Sequence, residues 1–282
     1  MPLNRSMPFL YYSERNALKK ILIAAAALCA LIGAGSLYAS RNAGNYKDIQ
    51  SKAEVVHAST AATSVPEKEE SAAAATTASS AAVSAEPAEE VPIDFEQIRE
   101  DCPDVYAWIN IPQTQIDYPV CQAPDDMDQN FYLNHRADRT EEFAGAIYSQ
   151  NYNSKDFSDP NTVLYGHDMS NGSMFRNLHL FENREFFDQN REVLIYLPDR
   201  VLHYRVFAAY NTNDDHILLS HDCFKDPAVF KQYIQDVLEG NLMYSGYIDE
   251  DTVLTQESRL LTLSTCNNVE NQRLVVQCVL ER

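Results

Sequence analysis

Cys266 ends the run Leu261-Thr262-Leu263-Ser264-Thr265-Cys266 and is followed by the polar pair Asn267-Asn268, so a β-rich segment delivers a thiol to a strand end facing solvent. A cysteine nucleophile needs such exposure, a base or cation that raises its thiolate fraction, and donors for the oxyanion formed on attack. Two residue types at suggestive positions supply the rest. In Tyr165-Gly166-His167-Asp168-Met169 an imidazole directly follows a strand and a glycine that frees the backbone, which places an acid/base at a loop mouth. Arg273 lies seven residues past Cys266, immediately before the last β-rich run, so one connecting loop brings thiol and guanidinium to neighbouring strand ends. A permanently charged guanidinium there can hold a carbonyl or an oxyanion. Position alone leaves a structural role for Cys266 open, and its companions point to acyl-transfer chemistry.

The other candidates have simpler readings. Cys278 lies inside an apolar strand, Cys102, Cys121 and Cys223 lie at helix ends or in loops, and Cys29 lies in an N-terminal apolar run. The five cysteines outside that run are an odd number without regular spacing, so at least one thiol stays unpaired within the chain. His135, His179, His203, His216 and His221 read as surface or core residues. No ligand cluster suggests a metal, calcium included, and the chain shows no cofactor motif.

The elements that must position these groups are mostly β. Alternating or apolar runs at 105–111, 116–120, 145–148, 162–165, 192–197, 202–210, 260–264 and 274–280 predict about eight strands, which suits a barrel or sandwich. Pro119 suggests an edge or a bulge. A short amphipathic helix is expected over 93–100. A second helix is expected at about 226–239, where Asp226 can cap, Pro227 can take the first helical position, and Val229, Phe230, Tyr233, Ile234, Val237 and Leu238 share a face until Gly240.

The chain changes character before this domain. Residues 21–39 form 19 apolar, uncharged positions, roughly 28 Å of helix, close to the thickness of a bilayer core. Arg5, Arg15, Lys19 and Lys20 precede the run, so the expected arrangement is a cytoplasmic tail at 1–20, a single transmembrane anchor at 21–39, and everything beyond it outside the cell membrane. A cleaved secretory signal is the alternative; the length of the run and the bulky Leu37 near its end favour an anchor. Residues 40–92 are rich in Ala, Ser, Thr and Glu and nearly lack aromatics, as in a disordered tether spanning on the order of 40 Å. The folded domain is expected over 93–282. From Asp94 onward it holds 32 Asp and Glu against 14 Lys and Arg, carrying 18 of the chain's 19 net negative charges, which argues against nucleic acid as a partner.

Thr262-Leu-Ser-Thr-Cys266 resembles the signature of the sortase family, Tyr165-Gly-His167 resembles its histidine segment, and Arg273 before Leu274-Val-Val276 resembles its third catalytic residue, in the same chain order. Trp108-Ile-Asn-Ile-Pro112, Ile116-Asp-Tyr-Pro-Val120, Phe131-Tyr-Leu-Asn134, Gly172-Ser-Met-Phe175 and the helix at 226–239 resemble the class B branch, and the likeness covers nearly all of 93–282. The resemblance implies an eight-stranded sortase-type β-barrel with peripheral helices. It implies a cysteine transpeptidase that cleaves a C-terminal sorting signal of a secreted protein after Thr through a Cys266 thioester. His167 would protonate the leaving amine, Arg273 would steady the oxyanion, and an amine of a peptidoglycan precursor or a pilin would take the acyl group. By the same analogy Leu133, Thr212, Ile217, Ser264 and Thr265 would contact the peptide. An acidic residue found two positions after the cysteine in some class B members is Asn268 here. Two other readings stay open at this point: a papain-like hydrolase using Cys266 and His167, and a tethered surface-binding module with an inert thiol.

Overall fold

The computed structural model describes residues 89–267 and 269–282. The expected tail, the anchor at 21–39 and nearly all of the tether lie outside them. Among the described residues no helix is long and apolar enough to cross a membrane.

Nine strands occur among the described residues: β1 (Val105–Asn110), β2 (Asp117–Gln122), β3 (Ile147–Ser149), β4 (Asn161–Tyr165), β5 (Glu192–Tyr196), β6 (Val201–Asn213), β7 (Ser245–Ile248), β8 (Leu260–Cys266) and β9 (Gln272–Leu280). They are bonded in the order β5-β1-β2-β3-β4-β8-β9-β6-β7, and a further β5–β6 pairing closes the first eight into a ring. The fold is a mixed eight-stranded barrel, with β2–β3 and β4–β8 parallel. Closure leaves no open edge on the ring.

β6 makes this possible by its length. Its first residues pair with β5 on one edge, β7 takes that edge from Ala208 onward, and β9 runs along the other. β7 escapes the strand pattern of the sequence because it is four residues long and holds Gly246, where a Cβ would meet Ala209 O at 2.2 Å. Pro119 sits in β2 opposite Trp108, one residue before the pairing with β3 begins at Val120, so its missing N–H costs no ladder bond on that side.

The helices behave as their caps dictate. α1 (Phe95–Asp101) starts at Asp94, whose carboxylate accepts from Gln97 N at 3.0 Å, and it buries Phe95 and Ile98 beside Trp108 and Tyr132. α2 (Arg184–Gln189) and α3 (Ile217–Ser220) are short. α4 (Pro227–Leu238) begins after Asp226, which accepts from Ala228 N at 2.8 Å, and lays Phe230, Tyr233, Ile234 and Val237 on Ala208, Tyr210 and Val275 of the barrel wall. That contact covers the second half of β6, which is why its burial stops alternating there.

Candidate active site

The two central strands set the site by their register. β4 and β8 run parallel with Asn161 beside Leu260 and Tyr165 beside Ser264. The ladder continues one step further, since Gly166 N donates to Ser264 O at 3.2 Å. Two residues beyond the last pair, the chains therefore carry His167 and Cys266 out of the same end of the barrel. On the other side, β8 and β9 are antiparallel and pair Cys266 directly with Arg273. The thiol thus stands between an imidazole and a guanidinium that come from two different neighbours.

Cys266 is the sole exposed position of β8, and among the described cysteines it is the most exposed. Arg273 Nη1 donates to its Sγ at 3.0 Å, so a permanent positive charge lies against the sulfur. Burial pushes the Cys121 and Cys278 thiols well above their ordinary range, so they are inert.

His167 is held on three sides. Its Nε2 lies 2.9 Å from Leu133 O, the ring stacks on Phe143 at 5.2 Å between centroids, and its carbonyl accepts from Phe175 N at 2.9 Å. A carbonyl only accepts, so Nε2 carries a proton and, in the neutral ring, Nδ1 is the nitrogen able to take one up. Burial lowers the imidazole's pKa from its ordinary 6.5 and the charge of Arg273 adds to that, against the opposing pull of the Leu133 hydrogen bond. The ring is neutral at pH 7, as a base that must accept a thiol proton requires.

Gly166 is glycine for want of space: a Cβ would meet Ile147 Cδ1 at 2.5 Å and Phe175 at 2.8 Å. The sequence suggested backbone freedom, and the structure shows close packing behind the histidine instead.

Cys266, His167 and Arg273 line one groove of about 590 Å³ together with Leu133, Thr212, Ile217 and Ser264. Thr212 pairs with Arg273 across β6 and β9, and Ile217 is the first residue of α3. Thr265 is the exception to the expected peptide contacts. Strand alternation turns it away from the face that carries Ser264 and Cys266; it is fully buried, and its Oγ1 donates to Gly166 O at 2.8 Å. It tightens the β4–β8 seam under His167.

The groove also holds residues that the sequence did not single out. His216 and His221, read there as surface or core, both line it, as do Tyr148 and Tyr165. His216 Nδ1 accepts from Leu219 N at 3.2 Å, so its Nε2–H donates to Gln150 Oε1 at 2.7 Å. Gln150 in turn donates to Asn130 Oδ1 at 2.9 Å. This chain of an imidazole and two amides gives the groove a polar stripe beside Tyr148 and Tyr165. Its members lie in three separate loops, and no local spacing in the sequence connects them. Among the described residues no group of three or more His, Cys, Asp or Glu gathers as metal ligands.

Comparison with known proteins fits this geometry. The sortase domain family matches residues 109–281. Sortase B of Listeria monocytogenes is 29% identical over 177 residues, 62% of this chain and 68% of that protein, and sortase B of Staphylococcus aureus is 27% identical over 193 residues, 67% and 75% respectively. The X-ray structure of Clostridium perfringens sortase B superposes with a TM-score of 0.58 at 28% identity, covering 67% of this chain and all of that one. A crystal structure of Staphylococcus aureus sortase B is similar in fold alone, with a TM-score of 0.64 at 21% identity over 85% of this chain and 98% of the other. The barrel, the exposed thiol at the end of β8 and these relatives together make the chain a member of the sortase family, of the class B cysteine transpeptidases.

Proposed function

We propose that this chain joins secreted proteins to a cell-surface amine by way of a Cys266 thioester. The observation that carries the reading is the register that sets His167 and Arg273 on either side of Cys266 at one end of the groove. Cys266 Sγ attacks the carbonyl carbon of a Thr in the sorting signal and forms a C–S bond. Arg273 supports the oxyanion, and the C–N bond breaks as the imidazolium of His167 gives the thiol-derived proton to the leaving amine. An acceptor amine then attacks the thioester, loses a proton to His167, and releases Cys266. Leu133, Thr212, Ile217 and Ser264 form the peptide's walls. A sortase B of Staphylococcus aureus has been solved as a substrate complex, which supports a peptide occupant for the corresponding groove here.

The acceptor is an amine of peptidoglycan or of a pilin, and the apolar run at 21–39 anchors the chain so that the domain works outside the cell membrane. The test is incubation of the purified protein with a library of Thr-containing sorting peptides, with and without candidate amines, read by mass spectrometry. Amine-dependent ligation products that vanish in Cys266→Ala are expected. Cleavage that persists in Cys266→Ala overturns the reading, and hydrolysis indifferent to every amine makes the protein a protease instead.

A further inference from the structure

The carbonyl that holds His167 belongs to a loop whose own anchorage is unusual. Asp104, just before β1 and only 9% exposed, accepts hydrogen bonds from Tyr132 OH, from Arg139 Nε at 2.8 Å and from Arg139 Nη2 at 2.9 Å. Both donor residues lie in the segment 131–145. That segment is closed on itself by Arg136 N to Thr140 O at 2.9 Å, Glu142 N to Asn134 O at 2.8 Å and Ala146 N to Tyr132 O at 2.9 Å. It meets His167 through Leu133 O at Nε2 and through the Phe143 ring stacked on the imidazole. Gly145, with φ of 61°, passes so close that a Cβ would meet the carbonyls of Tyr132 and Leu133 at 2.4 Å. The Leu133 carbonyl is therefore packed from behind by Gly145, and its chain neighbour Tyr132 is held by Asp104.

We propose that Asp104, Tyr132 and Arg139 are positioning residues for His167, acting through the Leu133 carbonyl. The proposal rests on the reading of His167 as the acid/base. A bidentate arginine–carboxylate pair with a third charge-assisted donor is strong and directional, and it holds Tyr132, the residue next to Leu133, at its phenol end. With Leu133 O in place, Nε2 keeps its proton and Nδ1 is kept for the proton exchanged between Cys266 and the leaving amine. Releasing the clamp lets the ring rotate or change tautomer, and that withdraws Nδ1 from the reaction. Asp104, Tyr132 and Arg139 touch no reacting atom in this arrangement. Their influence is on the direction of one carbonyl.

The test uses the full-length chain in detergent, labelled with ¹⁵N-histidine, with the His167 signals identified by their loss in His167→Ala. The wild type is expected to show the Nε2–H tautomer, and Tyr132→Phe and Asp104→Asn a mixture of tautomers. The same variants should lose about 10- to 100-fold in kcat on a sorting peptide with KM changed by no more than about twofold. Arg139→Lys, which keeps the charge and loses the fork, should fall between them and the wild type. Retention of the Nε2–H tautomer in folded Tyr132→Phe and Asp104→Asn overturns the proposal even if activity drops, because a clamp that serves stability alone lowers the melting temperature without moving the tautomer. If Asp104→Asn does not fold, Tyr132→Phe, which removes one hydroxyl, decides. Inactivity of the wild type on every peptide would overturn the functional reading and leave the tautomer measurement still decisive for the clamp.

Discussion

Arg273 Nη1 donates to Cys266 Sγ at 3.0 Å from the position directly across the β8–β9 ladder. A contact set by strand pairing is rigid, so the charge beside the thiol is present before substrate arrives and costs little reorganisation when the oxyanion forms. The planar fork can keep one N–H on sulfur while others face the groove, which an ammonium on a flexible stem does poorly. Arg273→Lys is therefore expected to lower kcat/KM for peptide cleavage by about 10²-fold, in the range for loss of one oxyanion donor. Measurement by chromatography of the cleaved peptide would contradict this if the lysine variant stayed within about threefold of wild type.

The pH response follows from two histidines. Burial lowers the pKa of both His167 and His216 below the ordinary 6.5. The unfolded chain therefore binds more protons than the folded one just below pH 6.5, so stability rises with pH through that window and is lost as pH falls through it. The acid side of the kcat/KM profile is expected to have its midpoint below 6.5, and the melting temperature to fall between pH 7 and pH 5. A midpoint above 7 would show that His167 is stabilised in its charged form, against the burial seen here.

Thr265 is tested by Thr265→Val, which keeps the shape and removes the hydroxyl. Gly166 O then loses a buried donor, at a cost of about 1–3 kcal/mol, measurable by urea denaturation. Since Thr265 faces away from the groove, KM for the peptide should stay near wild type while kcat falls with any drift of His167. A raised KM with unchanged stability would show that Thr265 meets the peptide after all.

Gly166→Ala forces a methyl against Ile147 and Phe175, whose atoms are 2.5 and 2.8 Å from the new carbon. Overpacking of this kind costs about 1–3 kcal/mol. The variant is expected to unfold at lower urea and to lose activity more than the stability change explains, because the strain sits one residue from His167. Equal stability to wild type would mean that Phe175 repacks freely.

The sequence by itself settled what local periodicity and chain-near pairing can settle. Strand alternation, the Asp226-Pro227 start of α4 and the seven-residue spacing of Cys266 and Arg273 are local, and a short connection between antiparallel strands leaves one natural register. The same alternation already separates Thr265 from Ser264 and Cys266, a signal that the resemblance to the family overrode. Tertiary structure alone decided the partner of β8 on its other edge. Parallel pairing of β4 with β8 links segments about a hundred residues apart, and its register depends on closure of the whole barrel and not on any nearby turn. The Leu133 carbonyl at His167, the crowding at Gly166 and the His216–Gln150–Asn130 stripe arise from long-range packing too. Each depends on atoms brought together by packing, for which neighbouring residues carry no code.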